Sequence, residues 1–142
     1  EASREAFKSK ITEALMYLER IVKQATPFGA GPVHLLQTIT TEVNVSGEVV
    51  EGMVGTPAKY GEPVEYGTKP HFPPLAPIKY WVEKKLGIEG KEAASVAFLI
   101  ARKISKKGTE GALMFSDSWD ENESTIIGIL DQIPDEILRR IQ

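Results

Sequence analysis

The chain has 142 residues, of which 42% are hydrophobic and 26% are charged, with a formal net charge of -3. This length predicts one domain, residues 1–142, with a core large enough to fold without disulfides. The absence of cysteine excludes a disulfide scaffold, a thiolate metal site and a cysteine nucleophile. Because the net charge is negative, we do not expect the protein surface as a whole to bind nucleic acid or anionic lipid.

The sequence shows no targeting or membrane signal. Its longest uncharged stretch, residues 24–41, is interrupted by prolines and glycines, so we do not expect a membrane span. The first residues lack a basic start followed by an apolar run, so we expect no signal peptide. These features predict a soluble protein inside the cell.

Residues 1–25 are predicted to form a long N-terminal helix. Apolar residues recur in alternating steps of four and three, which places one set on a single face: Phe7, Ile11, Ala14, Leu18, Ile21 and Ala25. Thr26 and Pro27 end the helix. Its apolar face packs either on the sheet of the same chain or on a neighbouring subunit, and the pattern fits both.

Residues 38–55 follow a period of two instead. A turn signal at Ser46 and Gly47 separates two runs. Alternate residues share a face, namely Ile39, Thr41, Val43 and Val45 in the first run and Val50, Gly52 and Val54 in the second. The segment therefore predicts an antiparallel hairpin with one buried face.

Residues 55–77 contain six of the nine prolines, which prevents a long helix or a central strand. A segment of this kind is usually functional or disordered, and Tyr60, Tyr66 and Phe72 favour function because they give it apolar anchors. Proline lowers the entropy of the free loop, and aromatic rings supply contact area at a small ordering cost. We predict a preformed interaction loop that other protein copies cover.

Residues 77–142 are predicted to be mainly helical. Pro77 suits a first helical position, and helical spacing continues to Gly87. A second helix, residues 91–107, is apolar on nearly all sides over its first three turns. We expect it to be covered on most sides, either at the centre of the fold or by a partner. Gly108 is its expected C-cap.

The end of the chain completes the predicted fold. Residues 111–115 form either a third strand or a turn, Ser118 and Glu121 have the spacing of a capping box, and Pro134 begins a last short helix. The fold class predicted is α+β. It comprises a long N-terminal helix, a small antiparallel sheet built on the hairpin, a proline-rich loop and three further helices.

Few residues suggest ligand binding. Gly29 and Gly31 are similar to the start of a phosphate-binding loop, but Pro32 removes an amide donor and no third glycine follows. A flexible connector is the simpler interpretation. His34 and His71 have no neighbouring ligands of the kind that a metal site needs.

Catalysis has equally little support. Glu65 and His71 flank a turn and would suit acid-base chemistry in a small hydrolase, although a surface ion pair or a hydrogen bond that orders the loop is the simpler role. The Gly-x-Ser-x-Gly pattern of a nucleophile elbow is absent. We predict no enzymatic activity, no metal and no cofactor.

Residues 102–107 are rich in basic side chains, and three roles fit them. They are an ordinary helix C-terminus, where the helix dipole stabilises basic side chains, or they face DNA, or they pair with an acidic run on an adjacent copy. The DNA-facing residues would be Lys103, Lys106 and Lys107, and the acidic run is Asp117, Asp120, Glu121 and Glu123. A small nucleic-acid-binding module is therefore the alternative function.

Several runs together resemble a known protein family. They are VEYGTKPHFPP at residues 64–74, residues 78–87, IARKI at residues 100–104 with Gly108 and Thr109 beyond it, and Met114 with Phe115. Over residues 26–131 the chain resembles the tail-component proteins of long-tailed double-stranded DNA bacteriophages, the head-tail joining or tail-completion family. Residues 31–39 are similar to the family's segment before the first strand, but lack the arginine usually found there.

The resemblance implies a non-enzymatic structural protein of the virion. Such proteins assemble as a ring, often a hexamer, where the connector meets the tail tube around the DNA channel. The implied partners are further copies of the chain, the connector or head-completion protein, and the tail-tube or tail-terminator protein, with DNA passing non-specifically and no membrane. Assembly would occur in the host cytoplasm, and the final location would be the neck or tail of the virion.

The interaction loop and the resemblance together assign the oligomer and partner interface. Its expected residues are Tyr60, Glu65, Tyr66, Gly67, Thr68, Lys69, Pro70, His71, Phe72, Pro73, Met114 and Phe115.

Overall fold

The computed structural model describes residues 1–27 and 34–142. The predicted connector at Gly29 and Gly31, and residues 31–33 of the segment similar to the family, lie outside the described residues. The elements in chain order are α1 (Ala2–Ala25), a 3₁₀ turn (Leu35–Thr38), β1 (Thr40–Ser46), β2 (Val49–Gly55), α2 (Gly61–Tyr66), β3 (Gly67–Thr68), α3 (Leu75–Trp81), a π-helical turn (Val82–Leu86), α4 (Gly90–Lys107), β4 (Thr109–Glu110), α5 (Met114–Leu130) and α6 (Ile133–Ile141).

Packing divides the chain into two compact units. Unit 1 consists of Glu1–Ala25, Ile39–Pro57 and Met114–Gln142, and unit 2 consists of Thr26–Thr38 and Ala58–Leu113. Each unit therefore combines segments that are distant in sequence. The single domain expected from chain length stays a prediction, because it concerns whether the chain folds as one cooperative body.

Unit 1 is built around α1, which packs against β1, β2, α5 and α6. The apolar face of α1 is thus covered by its own chain, which decides between the two alternatives that the periodicity left open. Leu18 and Val22 are buried on this face, and burying a side chain of this size contributes about 1.5–3 kcal/mol. Phe7 and Ala25, at the two ends of the predicted face, remain exposed.

The predicted antiparallel hairpin is confirmed, but its inner face is only half-buried rather than buried. β1 and β2 pair antiparallel, with Thr40 opposite Gly55 and Ser46 opposite Val49, and a two-residue turn joins them. Gly52 faces α1, and a methyl group at this position would overlap Leu15 Cδ1 and Ile11 Cγ2. A glycine therefore lets the strand approach the helix closely.

The predicted start of α5 is wrong. The helix begins at Met114, four residues before the expected capping residue Ser118, which lies buried inside the helix. Met114 is fully buried, so packing of this side chain extends the helix beyond the local capping signal. Leu113 has a positive φ of 51° and marks the break before the helix.

α6 begins at Ile133 with Pro134 in its first turn, as predicted. Its buried carboxylate Glu136 pairs with Arg139 and Arg140, and Arg140 Nε lies 2.9 Å from Glu136 Oε1. The ion pairs compensate the cost of burying the carboxylate.

Unit 2 is organised by α3 packed on α4 and by the short β3–β4 ladder. α3 begins at Leu75, two residues before Pro77, which still lies in the first turn, where its missing amide costs no hydrogen bond. Gly87 closes the π-helical turn in the left-handed conformation, and Gly108 ends α4, as predicted.

The proline-rich segment contains more regular structure than the sequence predicts. Residues 61–66 form α2, and Gly67 and Thr68 form β3. Pro63 is compatible with α2 because it occupies the first turn of the helix, where amides have no partner within the helix.

The fold class α+β is confirmed by a small antiparallel pairing combined with several helices. The described residues contain five helices after α1, rather than three, and α2, within the proline-rich segment, is the one that no sequence feature predicted. None of the helices in the described part of the chain combines the length and the apolar character that a membrane crossing needs.

Candidate interaction surface

The start of the interaction loop is fixed to the end of unit 2 by backbone hydrogen bonds. The Ala112 amide donates to the Val64 carbonyl oxygen at 2.8 Å, and the Leu113 amide donates to the Glu65 carbonyl oxygen at 3.0 Å. β3 pairs with β4, where the hydroxyls of Thr68 and Thr109 are 2.8 Å apart. The loop is therefore held in place before its exposed part begins.

Glycines allow this close packing. A Cβ atom on Gly67 would meet the Thr109 carbonyl oxygen and the Gly111 amide, and one on Gly108 would meet the Thr68 carbonyl oxygen. The atoms that would be hit belong to the backbone and cannot rotate away. Gly67 and Gly108, which belong to the runs that resemble the phage family, thus have a structural role in this junction.

Beyond β3, residues 69–74 continue without regular structure and contact α4. The His71 amide donates to the Ile104 carbonyl oxygen at 3.4 Å. The rings of Phe72 and Phe98 lie 6.2 Å apart with an interplanar angle of 55°, a separation at which aromatic rings attract each other. Contact with a helix and three prolines both restrict the conformations of this segment.

The predicted interface residues separate into three groups. Exposed are Tyr60, Tyr66, Lys69, Pro70, His71 and Phe72; half-buried are Gly67, Thr68, Pro73 and Phe115; buried are Glu65 and Met114. Tyr66 and Phe72 are 69% and 55% exposed, so both rings are available to a partner. Glu65 and Met114 are closed off by their own chain and would act only by supporting the structure.

α4 exposes apolar surface next to this loop. Only one narrow stripe of the helix is buried, formed by Ala93, Ala97 and Ala101, whereas Phe98 and Leu99 are 48% and 61% exposed. Of the two alternatives for this helix, a position at the centre of the fold is wrong. We call Phe72, Phe98 and Leu99 the loop–helix surface.

The basic end of α4 is also exposed. Lys103, Lys106 and Lys107 all face solvent, and within residues 1–27 and 34–142 none of them forms an ion pair. Lys103 and Lys107 border an open groove of about 870 Å³ between α3, α4 and β4.

This groove was not predicted from the sequence. Its apolar walls are Ile78 and Trp81 from α3 and Ile100 and Ile104 from α4. One wall of the groove can be recognised in the sequence of α4, where two isoleucines and two lysines each recur at a spacing of four and so form adjacent rows. This pattern does not show that α3 packs beside those rows.

The proposed acid-base pair is not formed. His71 Nδ1 lies 2.9 Å from the Lys69 carbonyl oxygen, and the ring is exposed whereas Glu65 is buried. In the part of the chain that the structure describes, no three His, Asp or Glu side chains are grouped so as to hold a metal ion.

Comparison of the chain with family models, with curated proteins and with solved structures gives no match. The resemblance to phage tail-component proteins therefore depends on the quoted residues and their order.

Proposed function

We propose that the chain is a structural protein of a bacteriophage virion, which assembles with copies of itself into a ring at the head-tail junction. In this position it joins the connector to the tail tube and surrounds the DNA channel. The proposal is supported by the resemblance of residues 64–74 and the runs that follow it in the same order.

The observation that carries the proposal is the exposed loop–helix surface. Phe72, Phe98 and Leu99 are large apolar side chains on neighbouring, restrained backbone. Exposed apolar groups that lie together mark interaction sites more often than single ones do, and a restrained aromatic loses little entropy when a partner covers it. This surface is suited to protein contact.

The test is a mass measurement by light scattering over a range of concentrations. The chain is measured alone and with connector and tail-tube proteins from the same source. We expect a discrete multiple of 15.6 kDa for the chain alone, or, on addition of a partner, a complex whose mass is that of the partner assembly plus such a multiple. A monomer that binds neither partner at any concentration would contradict the proposal.

Two matched variants locate the contact. Phe72→Ser removes a ring that is 55% exposed, and we expect it to weaken assembly at least tenfold. Met16→Ser removes a side chain that is 58% exposed on α1, and we expect assembly to remain at the wild-type level. Equal effects of both variants would show that general loss of apolar surface, rather than the loop–helix surface, controls assembly.

A nucleic-acid-binding module is the second candidate function. It is favoured by the exposure of Lys103, Lys106 and Lys107 at one helix end. Binding to double-stranded DNA of random sequence would weaken steeply with salt and would be lost when these lysines are replaced by alanine. Binding that is absent at low salt would remove this candidate.

A further inference from the structure

The groove beside the basic end of α4 combines apolar walls with a charged border. Ile78 and Trp81 of α3 face Ile100 and Ile104 of α4 across it. All four are only half-buried, so the walls are accessible. An apolar side chain of a partner would gain contact area there.

The border of the groove is predominantly cationic. Lys103 and Lys107 stand one helical turn apart, and among the described residues that line the groove Glu110 is the single acidic one. Within the described ranges these two lysines have no anionic partner. The groove therefore favours an occupant that carries both apolar side chains and carboxylates.

The exposed face of α5 has this composition. Trp119 and Ile127 are 41% and 47% exposed, and Asp120 and Glu123 are exposed between them. Residues at these spacings share one helix face, and the two apolar side chains are separated by about 12 Å along the axis. Neither carboxylate forms an ion pair within residues 1–27 and 34–142.

The spacing of the charges agrees on the two sides. Lys103 and Lys107 are four residues apart, and Asp120 and Glu123 are three residues apart. On a helix both spacings bring side chains to within about 5–6 Å of each other. Two parallel charge pairs can therefore form between one α4 and one α5.

We propose that the exposed face of α5 of one copy docks in the α3–α4 groove of the next copy. This inference rests on the proposed function, for which it names a further contact between subunits beside the loop–helix surface. Because groove and helix are different surfaces, the contact is heterologous, the type that generates rings when the rotation closes. Double-stranded DNA is a poorer occupant, since a phosphate backbone makes no use of isoleucine and tryptophan walls.

Charge reversal tests the pairing. The groove variant is Lys103→Glu with Lys107→Glu, and the helix variant is Asp120→Lys with Glu123→Lys. We expect each to assemble about a hundredfold more weakly than wild type, because it brings like charges together at an interface. If wild type assembles only with the connector or tail-tube protein, all variants are measured with that protein present.

Restoration makes the test specific. In an equimolar mixture of the two variants, every groove can meet a helix of opposite charge on its neighbour, so we expect the oligomer to return with alternating subunits. The chain that carries all four substitutions should assemble alone. Restoration also shows that the single variants are folded. The control Lys8→Glu with Lys91→Glu makes the same charge change at exposed positions, and we expect it to assemble like wild type.

Each other outcome overturns the inference in a recognisable way. If wild type forms an oligomer that neither reversal weakens, or if the mixture stays dissociated, the contact lies elsewhere and the ring proposal stands. If the groove variant loses DNA binding but assembles normally, the lysines bind nucleic acid. If wild type stays monomeric with both partner proteins, the proposed function falls, and the docking contact falls with it.

Discussion

Gly52→Ala is the sharpest test of how the hairpin packs on the long helix. The methyl group would overlap Leu15 Cδ1 and Ile11 Cγ2. Adding a methyl group to a packed contact costs about 1–3 kcal/mol, and we expect the lower half of this range because the atoms hit are the ends of half-buried side chains. Alanine also removes the flexibility of glycine from the unfolded chain, which offsets about 0.4–1 kcal/mol.

The same strand supplies a control, since a Cβ atom on Gly55 would meet nothing within 4 Å. Urea denaturation of both variants gives the two changes in the free energy of unfolding. We expect Gly52→Ala to be the less stable of the two by about 1–2 kcal/mol. Thermal unfolding should show the same order, with a difference of about 2–4 °C per kcal/mol.

Leu15→Ala provides the second half of the experiment. In this background the main obstacle to the new methyl group is gone, so the cost of Gly52→Ala should fall by at least half. The double-mutant cycle measures this coupling directly. Our reasoning is refuted if Gly52→Ala is as stable as Gly55→Ala, or if its cost is the same with and without the Leu15 side chain.

Three further substitutions test unit 2 and unit 1 separately. Gly108, at φ 71° and ψ -160°, lies in a region open essentially to glycine and faces the Thr68 carbonyl oxygen, whereas Gly87, at φ 71° and ψ 17°, has open space around it. Chemical denaturation should show a loss of about 3 kcal/mol for Gly108→Ala and about 1 kcal/mol for Gly87→Ala. Tyr17→Phe removes the 2.8 Å hydrogen bond to Asn122 Oδ1 between α1 and α5, and urea titration should show a loss of about 1 kcal/mol.

The elements that the sequence predicted well are those in which apolar residues recur with a clear period. The face of α1 and the alternation of the hairpin each reflect a single repeating requirement, that one side of the element be buried. Gly87 and Gly108 were also placed correctly, because a helix end has its own local chemistry. The elements that pack against α1 and against the hairpin could not be predicted in the same way. A periodic pattern identifies the buried face of an element, but not which other element covers that face.

The errors occurred where local and tertiary signals disagree. The capping spacing of Ser118 and Glu121 is a local signal, and the burial of Met114 outweighs it by starting the helix one turn earlier. α2 was not predicted because the proline density of residues 55–77 excludes only a long helix and gives no sign of a short one, in which Pro63 occupies the turn that tolerates proline. A six-residue helix also contains too little periodicity to be recognised.

The candidate surface was predicted from residue composition, which does not show which side chains are exposed and which contact the rest of the chain. Aromatic residues among prolines indicated an interaction loop, and Tyr66 and Phe72 are indeed exposed. Composition cannot tell which members of such a segment turn inward, so Glu65 was included although it is buried. The α3–α4 groove depends on two helices joined by a π-helical turn, and no pattern in either helix predicts how they lie together.

The runs that carry the family resemblance contain both glycines of the backbone junction and exposed residues that a partner can reach, such as Tyr66 and Phe72. Gly67 and Gly108 lie at a backbone junction, where any side chain would collide with a carbonyl oxygen. Replacing either glycine would displace the interaction loop and would therefore weaken the proposed assembly indirectly, whatever the loop contacts. Phe72 projects from the same loop after the junction and can be removed without touching it. A loss of assembly therefore reports on a direct contact only when the substitution is made at an exposed residue of this kind.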